Sequence, residues 1–362
     1  MDRRTLLQGI GLAALTALTA CGGTGSETSK AEAPKKKFAI GWSIYAGWMP
    51  WPYAQKSGIV KKWADKYGLT IDLVQVNDYV ESINQYSAGK LDGVVSTTMD
   101  ALTIPAAGGK DTSVIIIGDY SNGNDGIVLK NGKTLADLKG RSVNLVELSV
   151  SQYLLARALE KGGLKLTDIK TVNTSDADIV GAFASPDVTA VATWNPQLSE
   201  LRQAPGATEV FDSSKIPGEI LDVLTVSTAT LAANPDLGKA LVGIWYEVMA
   251  VMAAGNAKTK EAIAIMAADA GTTPADFEGQ LKTTYLFQTP ADALAYATNP
   301  DLVTVTDRVR QFSFANGMFG PAATSVDAIG IGFPGGKTLG DTANLKLRFD
   351  PAYMKMAADG AL

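Results

Sequence analysis

The chain has 362 residues, 46% of them hydrophobic, with Lys+Arg 32, Asp+Glu 37, no His and a single Cys, enough apolar content and length for a large core in about two lobes. A formal net charge of -5 leaves no basic excess for nucleic acid. The missing His excludes Ser-His-Asp and Cys-His catalysis and a His-ligated metal, and one Cys excludes disulfides, Cys-rich zinc sites and iron–sulfur clusters, so no cofactor or metal is expected.

In chain order, the first feature is "MDRRTLLQGIGLAALTALTAC". Arg3 and Arg4, an uncharged run and Leu18-Thr19-Ala20-Cys21 have the order of an export signal, too short and too small-residued to be a stable membrane span. Its end resembles a bacterial lipoprotein signal, which leaves Cys21 as the lipidated N-terminus, and "RRTLLQ" resembles a relaxed twin-arginine motif. Residues 1–20 are thus expected to be a signal peptide and 21–36 a Gly/Ser-rich tether. The mature protein would sit on the outer face of the cytoplasmic membrane, held by lipid.

From Phe38, strands and helices alternate. "FAIGWSI", "IDLVQV", "DGVVST" and "SVIIIGD" read as strands. Between them "SGIVKKWADKYG" and "NDYVESINQYSAG" read as helices, the second opened by Asp78 and Glu81 at capping-box spacing. A second set follows "NGKTLADLKG": strands "RSVNLVEL", "DIKTVNT" and "VTAVATW", and helices "SQYLLARALEKGG" and "DADIVGAFA". The tail from Asn234 is mainly helical, with Asn234-Pro235 and two "TPAD" segments, Thr273–Asp276 and Thr289–Asp292, as helix starts. The pattern predicts an α/β fold with two lobes, each a mostly parallel sheet flanked by helices. Lobe 1 takes residues 37–124, lobe 2 takes 125–222, and 223–362 returns to lobe 1 with the C-terminal helices. Crossings at Ser121–Gly126 and Pro217–Val226 would form a hinge.

Ligands of such folds collect at the C-terminal ends of the strands. These ends contain Asp100, Asp119, Asp125, Glu147, Asp176, Asp178, Glu219 and Asp222, with no Lys or Arg. The first of them, "GWSIYAGWMPWPY" at Gly41–Tyr53, holds three of the 6 Trp and no charge, and its two Pro argue against a helix there. Carboxylates with no base repel an anion, whereas carboxylates and ring faces together attract a small cation, the rings by ~2 kcal/mol when desolvated. A planar guanidinium, which forks onto a carboxylate and stacks on aromatic rings, suits the set. The expected ligand-binding residues are Tyr45, Trp48, Trp51, Asp100, Glu147, Trp194, Glu219 and Asp222, and Glu147→Gln is expected to weaken binding at least tenfold. Asp119 and Asp125 suit Asx turns, and Asp176 and Asp178 suit helix caps.

The lipoprotein signal, the two α/β lobes and "SAGKLDGVVST…DAL" resemble the substrate-binding proteins of ABC importers of the nitrate, sulfonate and taurine class. "NDYVESINQY", "MDALTIPAAGG", "YSNGNDGIVLK", "NLVELSVSQYLLARAL", "NTSDADIV" and "TWNPQLSE" are similar to a subgroup encoded beside urea-carboxylase-type enzymes and associated with guanidine uptake. The resemblance runs from about residue 38 to the C-terminus. It implies a monomeric, non-enzymatic receptor (a periplasmic binding protein of type II) that captures guanidinium, or urea, between closing lobes and delivers it to a membrane permease and its ATPase. The class also contains anion binders. Thiamine-pyrimidine synthases of the same fold family use His and a Cys-rich segment, which this chain does not have.

Overall fold

The computed structural model describes residues 35–362; the expected signal peptide, Cys21 and most of the tether lie outside the described residues. Among the described residues, fourteen strands form two sheets. In chain order they are β1 Lys37–Trp42, β2 Thr70–Gln75, β3 Gly93–Thr97, β4 Thr112–Ser121, β5 Asp125–Lys130, β6 Ser142–Leu145 and β7 Lys170–Asn173. Then come β8 Ala190–Trp194, β9 Ala207–Asp212, β10 Leu221–Ser227, β11 Thr284–Leu286, β12 Gly330–Gly332, β13 Thr338–Leu339 and β14 Leu345–Phe349. The larger sheet has the order β13-β12-β14-β4-β10-β3-β1-β2, with β11 beside β4, and the smaller has β7-β6-β8-β5-β9.

Alternation along the strands explains the layering. In the smaller sheet Ile127, Leu129, Ala190 and Ala192 face Leu154 and Leu155 of helix Val150–Lys161. Val128 and Val191, one residue out of phase, face Ile179, Phe183, Leu198 and Leu201 of the helices on the opposite side. With period 2, adjacent residues point to opposite faces, so near-continuous apolar runs report a sheet covered on both sides. The larger sheet buries Val94, Ile115, Ile116, Ile117 and Leu224 in the same manner.

Each parallel set carries antiparallel strands. β10 lies antiparallel between β3 and β4 in the larger sheet, and β5 lies antiparallel between β8 and β9 in the smaller. Both are strands that begin where the chain passes between sheets, so they run against their neighbours. β5 and β9 are not among the strands read from the sequence.

Some local signals performed as their chemistry dictates and others did not. Asp78 caps helix Tyr79–Ser87 by accepting from Glu81 N (2.8 Å), and Thr273 and Thr289 accept from Asp276 N and Asp292 N. The aromatic segment, by contrast, does form a helix, Pro50–Lys56. Pro50 and Pro52 fall in its first turn, where no N–H is needed. Asn234 precedes helix Pro235–Ala253 without a side-chain cap, because its amide donates back to Thr230 O (3.1 Å). Helix Ile179–Ala184 likewise takes no cap from Asp178, whose carboxylate accepts the Ser175 hydroxyl (2.7 Å).

Candidate functional site

The two passages between sheets lie side by side. Ser121 Oγ at the end of β4 is 2.6 Å from Ser213 Oγ, and Ser213 Oγ also accepts from Gly123 N (2.7 Å). The Ser121 hydroxyl accepts from Asp125 N (3.1 Å), and Ser121 N donates to Ile220 O (3.0 Å). These bonds place the first residues of β5 and β10 beside the last residues of β1, β3, β4 and β8. A small buried cavity lies there, walled by Tyr45, Trp48, Tyr79, Thr97, Asp125, Trp194 and Asp222, with Val150 and Ile220. A second one adjoins it through Trp48 and Asp222 and is walled by Trp51, Asp119 and Trp245 among apolar groups. Each has a volume of ≈ 10 Å³, close to that of one water-sized sphere. No Lys or Arg lines either.

The aromatic wall is a continuous chain of tilted and edge-on rings. Tyr45 and Trp48 have ring centroids 5.0 Å apart, Trp48 and Tyr79 5.5 Å, and Tyr79 meets Trp194 edge-on at 5.6 Å. Gly47 makes the turn possible. A Cβ there would stand 2.7 Å from Asp119 Oδ2 and 2.8 Å from the Tyr45 ring.

The acids surround these rings. Asp222 pairs in register with Asp119 on one side and Thr97 on the other, so their side chains share a face. Asp100 follows β3: Thr97 accepts from Asp100 N (3.2 Å), and Asp100 Oδ2 accepts from the hydroxyls of Tyr79 (2.6 Å) and Thr97 (2.8 Å). Asp100, Asp119, Asp125 and Asp222 are each no more than 2% exposed. Asp100 Oδ1, both Asp119 oxygens, Asp125 Oδ2 and Asp222 Oδ2 have no hydrogen-bond partner, nor do Tyr45 Oη and Trp48 Nε1.

Burial without a counter-charge raises these groups. Loss of solvent lifts Asp100 to about 6 against the opposing hydrogen bonds from Tyr79 and Thr97. It lifts Asp119 to about 7 with the nearby Asp125 charge adding to the rise, and Asp125 to about 7 with Asp100 adding. Asp222 goes well above the ordinary carboxylate range, through burial and then through Asp119 and Asp125. Five buried carboxylate oxygens thus stand without a donor in a space that no base lines. Among the described residues no set of three acidic or Cys side chains is grouped to hold a metal ion.

Of the residues expected from sequence, Tyr45, Trp48, Trp194 and Asp222 wall the cavity, and Asp100 stands behind Thr97 and Tyr79. Trp51 is packed on Trp245 (5.2 Å) and faces the adjoining void. Glu147 is not brought to the cavity. It lies on the rim of a wider cleft, where it accepts the Thr171 hydroxyl (2.5 Å), because β6 ends at Leu145 and the chain turns outward at Leu148 (φ 61°). Glu219 is also elsewhere, clamped by Arg157 Nε (2.8 Å), Arg308 Nη1 (2.6 Å) and the Tyr153 hydroxyl (2.5 Å). Burial alone would raise Glu219, but these partners bring it below the usual value.

Asp119, Asp125, Tyr79 and Thr97 are the residues that sequence reasoning passed over. Asp119 and Asp125 do not make the expected Asx turns; an acid closing the apolar run "SVIIIGD" was the available signal. Asp176, expected as a cap, is instead 4% exposed and accepts from Tyr79 N (3.4 Å); burial raises it to about 6.

Two α/β sheets with a small cavity where the chain crosses between them define the periplasmic-binding-protein fold. The chain belongs to the NMT1/THI5-like family, whose model matches residues 57–252. It is 27% identical over 187 residues to a putative binding protein of Brucella abortus (strain 2308), a match covering 51% of this chain and 57% of that protein. The match thus spans little more than half of that relative's length. Over 67 residues it is 46% identical to a putative aliphatic sulfonates-binding protein of Escherichia coli K12, covering 18% and 21% of the two chains. Among solved structures, the alkanesulfonate-binding protein SsuA of Xanthomonas axonopodis pv. citri bound to MOPS superposes with a TM-score of 0.66 at 18% identity, over 80% of this chain and 96% of that one. The desulfurization enzyme DSZB superposes with a TM-score of 0.54 at 18% identity, over 78% and 93%. The fold by itself therefore serves both binding and catalysis.

Proposed function

We propose that the protein is the solute-binding component of an ABC importer and that its solute is a small organic cation, guanidinium first. The carrying observation is the cavity bounded by Asp125 and Asp222 with unpaired oxygens, by four aromatic rings, and by no basic group. Guanidinium is planar, permanently charged and small. Its N–H edges meet two carboxylates while its face lies on Trp48 or Tyr79. Urea matches the shape but leaves the carboxylates uncompensated. The capture step would be closure of the two sheets about the paired crossings, followed by docking on a permease from a lipid anchor at Cys21.

A second reading is an aliphatic sulfonate, favoured by the names of the relatives above. An anionic head there would meet buried carboxylates without a cation, and so ranks behind. Titration calorimetry of purified protein against guanidinium, methylguanidinium, urea, nitrate and taurine separates the two. Guanidinium is expected to bind at least a hundredfold more tightly than urea; binding of taurine or nitrate with no response to guanidinium would refute the cation reading.

A further inference from the structure

We propose that Asp119 is a positioning residue that shares one proton with Asp222 in the unliganded site, so that capture of the cation expels that proton. The inference rests on the cation reading above and adds how the site stays folded when unliganded. Asp119 is fully buried and faces Asp222 across the β4–β10 pair, and Gly47 leaves the room its carboxylate occupies. Neither Asp119 oxygen has a donor, and Asp222 Oδ2 has none.

The groups around the pair are Tyr45 and Trp48 from the loop after β1, Asp125 from β5, Asp100 from the turn after β3, and Trp245 from helix Pro235–Ala253. None is a base. Two carboxylates neighbouring each other in the buried interior cannot both be ionised without a cation, so one proton is retained between them. A cation bound against Asp222 supplies the missing charge and the proton leaves to solvent: receptor-H plus cation gives the complex plus H⁺. Asp119 walls only the adjoining void, so it acts on the ligand through Asp222.

The test is a pH-stat titration of the intact protein with guanidinium chloride at about pH 6.5, counting alkali consumed per site, joined to affinities measured between about pH 5.5 and 8. The wild type is expected to release close to one proton per cation and to gain about tenfold in affinity per pH unit in the lower half of that range. Asp119→Asn is expected to release well under half a proton, to flatten the pH profile, and to bind more tightly than wild type at the acid end. Wild-type binding without proton release would overturn the proposal and leave the cation reading standing. An absence of guanidinium binding to the wild type would remove the cation reading itself. Should Asp119→Asn fail to fold, Asp125→Asn, which keeps the Asp119–Asp222 pair, decides: release of close to one proton per cation from that variant supports the shared proton, and its loss overturns the proposal.

Discussion

Asp100, Asp119, Asp125 and Asp222 surrender their hydration on folding and receive no counter-charge, an arrangement that costs stability and persists where charge is to be bound. Asp100, Asp119 and Asp125 lie at about 6 to about 7 in the fold, against about 3.9 for an unfolded Asp, and burial raises Asp222 well above its ordinary value too. Between those values the unfolded chain holds fewer protons than the folded one, so stability falls as pH rises through the window. Glu219, lowered by its arginines, acts only below the usual glutamate value and does not offset this. The ligand-free melting temperature is therefore expected to drop from about pH 5 to about pH 8, and Asp125→Asn to reduce that drop. Scanning calorimetry that finds the melting temperature rising over this range would contradict the assignment. Asp125→Asn is also expected to weaken guanidinium binding at least tenfold at neutral pH, about 1.4 kcal/mol.

The element that makes the site is the short segment after β1. An extended Tyr45, a turn at Ala46–Trp48 and a helix at Pro50 bend the chain so that Tyr45 and Trp48 face inward. Gly47 is indispensable at that bend because Asp119 already occupies the space of a Cβ. Gly47→Ala should displace either Asp119 or the Tyr45 ring, with an overpacking cost of about 1–3 kcal/mol. Expected together are a lower denaturant midpoint and weaker guanidinium binding; unchanged values in both would show that the turn yields freely. Trp48 and Tyr45 were legible here because uncharged aromatics after a strand have few other uses. Glu147 was misplaced because strand length was not legible: β6 ends two residues before it and the backbone turns away.

At the scale of the molecule, two wider surface clefts that share Asp176 are acidic. One carries Asp78, Glu81, Glu147 and Asp176, the other Asp176, Glu200 and Asp276, and neither has a Lys or Arg. Such a field concentrates cations near the cavity and is screened by salt beyond about 10 Å at 0.1 M. Glu147→Gln should slow guanidinium association at low ionic strength while changing equilibrium affinity less than about threefold, and added salt should remove the difference. Stopped-flow tryptophan fluorescence reads the rate; an unchanged association rate at low salt would show that the rim does not steer.

The sequence by itself determined the α/β class, the helix starts at Asp78, Thr273 and Thr289, and the aromatic segment. These follow from local periodicity, capping chemistry and composition, which a chain carries in short windows. Only the tertiary structure decided which acids meet. Asp222 faces Asp119 because β10 inserts antiparallel between β3 and β4, and Glu219, three residues earlier, is drawn away by Arg157 and Arg308. Strand pairing between residues a hundred positions apart is set by how whole sheets bury their faces. No local window encodes it.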